Sequence, residues 1–143
     1  MPNLTLEQAS QIVDAALAEG RKRNLLPLTV VVLDAGGHVV ALKREDGSSL
    51  LRPQVATAKA WGTLGMGFGG RELGRRAQAN PVFFGTLTEL AGGNMVPVPG
   101  GVLIRDAGKE IIGAVGISGD VSDADEACAR AGIAAAGLVA DVG

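Results

Sequence analysis

Lys59 is the charge with the most chemical interest in this chain. It stands in the apolar run Val55-Ala56-Thr57-Ala58-Lys59-Ala60-Trp61, among small side chains. An ammonium placed there can enter a pocket and bind a carboxylate. It can also act as a catalytic base once desolvation lowers its pKa. The plainer alternative is a surface lysine. Arg44 and Arg52 have the planar fork that grips a carboxylate bidentately, against the plainer reading of solvated arginines. Gly100 and Gly101 put bare backbone beside the run Val102-Leu103-Ile104. Gly119 and Asp120 come just before a helical pattern, and the free N–H groups of a helix start suit an anion. A small pocket between Gly100-Gly101 and Gly119, with Lys59 nearby, is the preferred site. Backbone N–H groups there would also stabilise developing negative charge. The bland reading is that the glycines serve turns.

Other chemistries find less support. His38 is the single histidine, so a multi-histidine metal site is excluded. His38, Met66 and Met95 are weak candidates for holding a metal. Histidine in a turn and methionine as core filler are the commoner roles. Gly65-Met66-Gly67-Phe68-Gly69-Gly70 looks like a dinucleotide loop, but it follows a helical run where that motif needs a strand. The Gly-x-Ser-x-Gly nucleophile motif is missing. Removal of Met1 would expose the secondary amine of Pro2 as a base, yet Asn3 and Leu4 lead into a helix cap. Cys128 is the lone cysteine. It allows no internal disulfide and reads as inert core.

The elements that must position these groups follow from periodicity. Thr5 and Gln8 form a capping box. Leu6, Ala9, Ile12, Val13, Ala16 and Leu17 then recur as one helical stripe, ending near Gly20. Leu28 to Leu33 and Val39 to Lys43 are β-branched, apolar runs around Asp34-Ala35-Gly36-Gly37-His38, which signals a hairpin. A helix runs from about Pro53 to Met66. A second, from Arg71 to Ala79, ends at Asn80-Pro81, and Val82 to Leu90 adds a helical turn or two. Val96 to Arg105, broken by Pro99-Gly100-Gly101, gives one or two strands, and Glu110 to Ser118 another. Ser122 caps a final helix from Asp123 to about Val139, with Asp125 at the reciprocal position. Its inward face is Ala127, Ala131, Ala134 and Leu138. The expected fold is α/β of the α+β kind: an antiparallel sheet of about five strands with helices packed on it.

Composition bounds the rest. The chain has 143 residues, 47% of them apolar, 20% charged and 22 of them glycine. That suits one domain over 1–143 with a single core and argues against disorder. A net charge of −2 offers no basic stripe for nucleic acid. There is no apolar run of membrane-spanning length and no signal-peptide pattern at MPNLTLEQAS. The expectation is a cytoplasmic protein that binds neither membrane nor nucleic acid.

Several segments, in order, resemble the GlcG/HbpS-like family. They are Val30 to Leu42 with Asp34-Ala35-Gly36-Gly37-His38 at its centre, Arg44 and Asp46-Gly47, and Ala56 to Ala60 around Lys59. They continue with Pro99-Gly100-Gly101-Val102-Leu103-Ile104, Ile112 to Gly119, and Asp125-Glu126-Ala127-Cys128-Ala129. Leu103 stands where that family usually has proline, and the stretch from about Gly65 to Gly93 departs from its pattern. The resemblance implies a profilin-like sandwich, homo-oligomers, and haem or a related tetrapyrrole as ligand. Under it, Arg44 and Arg52 would meet propionates, and His38, Met66 or Met95 would meet iron. The departure leaves a rival open: an isomerase, lyase or hydrolase acting on a small carboxylated intermediate of organic-acid or aromatic catabolism.

Overall fold

The computed structural model describes residues 3–143; Pro2 lies outside them. Helix α1 spans Leu6–Lys22, and both bonds of the Thr5–Gln8 capping box are made. Of the expected stripe, Ala9, Ile12, Val13 and Ala16 are buried and Leu17 is half-buried, whereas Leu6, at the very start of the helix, is exposed. Strands β1 (Thr29–Asp34) and β2 (Val39–Arg44) form the hairpin. Helices α2 (Arg52–Met66), α3 (Gly70–Ala79) and α4 (Pro81–Leu90) follow. Then come β3 (Gly101–Arg105), β4 (Ile111–Ser118), α5 (Ser122–Ala135) and β5 (Val139–Asp141).

The strands form one antiparallel sheet in the order β2-β1-β4-β3-β5. Side chains alternate across it, so the inner strands β1, β4 and β3 feed two cores. Val30, Val32, Val102, Ile104, Val115 and Ile117 face α1 and α5. Val31, Leu33, Leu103 and Ala114 face α2, through Ala56 and Ala60. A small third cluster of Leu73, Phe84 and Met95 sits under α3 and α4.

The last third departs from the sequence reading. The final helix stops at Ala135 and not near Val139, because Gly137 turns the chain at φ +75. The freed residues form β5, the fifth strand, which pairs with β3. Ser122 is not the cap: Val121 occupies that position without a side-chain hydrogen bond. The buried face of α5 is Asp125, Glu126, Cys128, Ala129, Gly132 and Ile133, whereas Ala134 is exposed. A two-carboxylate start and an Ala-rich body gave no clear stripe to phase the helix by. The region after Asn80 is also more regular than a turn or two, since α4 runs ten residues.

Helix α2 lies close to the sheet because β3 and β4 present glycine to it. A Cβ on Gly116 would run into the carbonyl of Ala56, and one on Gly101 into the carbonyl of Lys59. Gly116→Ala should therefore cost about 1–3 kcal/mol, read by urea denaturation. Gly85→Ala, where a methyl meets open space in a helix, should be neutral or gain up to about 1 kcal/mol. Equal effects from the two would contradict this close contact.

Candidate functional site

The close seating of α2 carries Lys59 into the interior. The residue is 4% exposed. Its Nζ donates to the carbonyl of Ile117 at 2.9 Å and to Oδ2 of Asp125 at 3.1 Å. Asp125 is fully buried, and its Oδ1 also accepts from the N–H of Asp120. Burial pushes the Lys59 ammonium down and the Asp125 carboxyl up, and the opposite charge of each partner works against both shifts. Gly100, at φ +111, closes over this pair; a Cβ there would stand 2.9 Å from Nζ.

The space expected to hold a pocket between Gly100-Gly101 and Gly119 is thus filled by Lys59 and Asp125. Gly119 in turn lets the backbone of Pro27 and Leu28 come close. The anion at the start of α5 is the chain's own. Asp120 accepts the N–H groups of Leu26 at 2.9 Å and Val121 at 2.7 Å, and these bonds hold its carboxyl below the usual range.

Arg44 and Arg52 are each tied to residues at the same end of the sheet. Thr29 of β1 stands opposite Arg44 of β2 on one side and Ser118 of β4 on the other. Directly opposed residues share a face. Thr29 lies two positions before Val31, so the row Arg44–Thr29–Ser118 is on the α2 face. Arg52, in the first turn of α2, donates from Nη1 to Oγ of Ser118 at 3.0 Å and from Nε to Oγ of Ser49 at 3.1 Å. Arg44 donates from Nη2 to the carbonyl of Ser48 at 2.8 Å. The two guanidinium groups are therefore tied to consecutive residues. Sequence reasoning named both arginines but missed Thr29, Ser118 and the partner role of Asp125, all of which depend on strand register.

The metal candidates are scattered. The His38 side chain is 81% exposed, with Nδ1 3.2 Å from Oδ1 of Asp34. Met95 is buried in the third cluster, and Met66 packs half-buried against it. Cys128 is buried, and desolvation pushes its thiol up to about 11. Among the described residues no three His, Cys, Asp or Glu side chains gather as a metal site. No helix is long and apolar enough to cross a membrane.

Breaking the buried pair tests its role. Lys59→Met strands the Asp125 carboxylate and should cost about 3–5 kcal/mol. The double variant Lys59→Met, Asp125→Leu should recover much of that loss in denaturation experiments. Additive losses would mean that the two groups act independently.

Relatives agree with this architecture. Residues 4–134 match the family described as "Haem degrading protein HbpS-like". Protein GlcG of Escherichia coli strain K12 is 33% identical over 119 residues, covering 80% of this chain and 81% of GlcG. Among solved structures, the PduOC:haem complex superposes with a TM-score of 0.87 at 26% identity, over 96% of this chain and 98% of its own. A double mutant of Streptomyces reticuli HbpS gives 0.81 at 28% identity, over 94% and 87%. The fold is the α+β fold of those structures, and the chain belongs to the HbpS-like family.

Proposed function

We propose that this chain is a small-ligand-binding protein that works as a homo-oligomer, and that its ligand is haem or a related tetrapyrrole. The observation that carries this reading is the near-complete superposition on the PduOC:haem complex, together with membership of the HbpS-like family.

The residues present fit one part of such a ligand well. Bound haem would supply an apolar disc, two carboxylates and an iron atom. The paired arginines suit the carboxylates. For iron, His38 is the exposed imidazole, while Met95 and Cys128 are enclosed. His38 stands at the opposite end of β2 from Arg44, about 20 Å along the strand at ~3.3 Å per residue. In the rival enzyme reading Lys59 would be the base, and it would first have to leave Asp125 and the carbonyl of Ile117, to which its Nζ donates.

Helix α4 supports self-association. Val82 is 86% exposed, Phe83 57% and Leu90 79%, and Glu89 is the one charged residue of the helix. A groove lined by Ala79, Asn80, Pro81, Val82, Phe83 and Thr86 lies on the same segment. A two-fold pairing would set the Phe83 side chain of each copy against the groove of the other, as an isologous contact requires. With almost no charge on either side, nothing on this face repels a second copy.

Two measurements test this reading. Haemin added to the purified protein should give a saturable, stoichiometric Soret shift beyond that of an unrelated control protein; no such shift would sink the tetrapyrrole assignment. Light scattering should show an oligomer that Phe83→Asp lowers in mass, and a monomeric parent would refute the α4 contact.

A further inference from the structure

We infer that Arg44 and Arg52, standing over the hydroxyls of Thr29 and Ser118, form a carboxylate subsite, and that this subsite anchors the ligand by its acid groups and not by iron. The inference rests on the tetrapyrrole reading for the identity of the ligand, but its geometry stands apart from that reading.

Three observations converge on it. First, neither arginine has a carboxylate partner among the described residues, whereas Arg21, Arg23, Arg71, Arg75, Arg76 and Arg105 do; Arg130, the other arginine without one, stands alone on the exposed side of α5. Two unneutralised guanidiniums held at Ser48 and Ser49 are a place where an anion is missing from the charge balance. Glu45, the nearest acid in sequence, is occupied by the N–H of Leu28 and by Arg21.

Second, Thr29 is fully buried, and its Oγ1 has no hydrogen-bond partner. Buried hydroxyls are nearly always paired. This one sits in the middle of the row, between Arg44 and Ser118, the residue to which Arg52 donates. Third, α2 begins here with no side-chain cap, and the positive end of its dipole adds to the two cations. Arg52 spends Nε and Nη1 on Ser49 and Ser118, which leaves Nη2 to donate. Arg44 spends only Nη2, so its Nε and Nη1 remain. A carboxylate entering between them meets donors from both sides. Outward movement of the half-buried Arg52 would open Oγ1 of Thr29 to the same anion.

The row holds no His, Met or Cys, so iron gains nothing from it. The ligand class is a molecule with a free carboxylate on an apolar body, metallated or not. Haemin and iron-free protoporphyrin IX should bind alike, and haemin dimethyl ester about ten- to a hundredfold more weakly, as expected for loss of charge-assisted hydrogen bonds. Arg52→Gln and Arg44→Gln should each abolish the preference for free acid over ester. Thr29→Val should raise Tm, since it removes an unpaired buried hydroxyl, while it weakens acid binding. A purely structural threonine would not produce both effects. His38→Ala should leave affinity unchanged.

Equal affinity for acid and ester would overturn the subsite and leave the tetrapyrrole reading standing, as would loss of binding in His38→Ala alone. If none of the three porphyrins binds, the tetrapyrrole reading fails, and hexanoate compared with hexanamide decides the subsite. Amide shifts at Thr29 and Ser118 with hexanoate alone would sustain it, and no shift with either compound would end it.

Discussion

The buried contact between Lys59 and Asp125 is the constraint on which the rest of the structure turns. It joins α2 to α5 at the C-terminal end of β4, beside the carbonyl of Ile117. Two charges in the interior are expensive to desolvate, so their partners must be in place. That requirement fixes how far α2 sinks onto the sheet, which in turn demands glycine at positions 100, 101 and 116. Once α2 is seated, its first turn falls beside Ser118, and Arg52 reaches the row of Thr29 and Arg44. Lys59, singled out by its chemistry, thus also helps to set where Arg52 stands.

Much of the fold was legible because its signals are local. The Thr5–Gln8 box, the stripe of α1 and the Asp34–His38 turn each depend on neighbours a few residues apart, and each appears in the structure. The failures are non-local. Lys59 and Asp125 are 66 positions apart, and nothing in the run Val55 to Trp61 shows that its cation is spoken for. Residues after Gly137 read as a helix tail because their pairing partner, β3, lies more than thirty positions earlier.

Register explains why the candidate site was only half visible. Leu33 pairs with Val39, and symmetry about the turn would place Thr29 opposite Lys43. A bulge between Val32 and Leu33 shifts the pairing by one, so Thr29 meets Arg44. A one-residue slip exchanges the faces of a strand. Arg44 is thereby turned toward α2, and Lys43 toward α1, where it pairs with Asp14. Naming two arginines from sequence was possible, but putting them on one face with two hydroxyls required the bulge.

The segment from Gly65 to Gly93, expected to depart from the family pattern, lies within the matched residues 4–134 and forms most of the α3–α4 unit with its own small cluster. It leaves the α2 face of the row in place and adds an apolar helix to the surface. The most direct test is a crystal structure of the protein grown with haemin. The account predicts a propionate within hydrogen-bonding distance of both Arg44 and Arg52, beside Thr29. Propionates in solvent, with iron on His38, would contradict it.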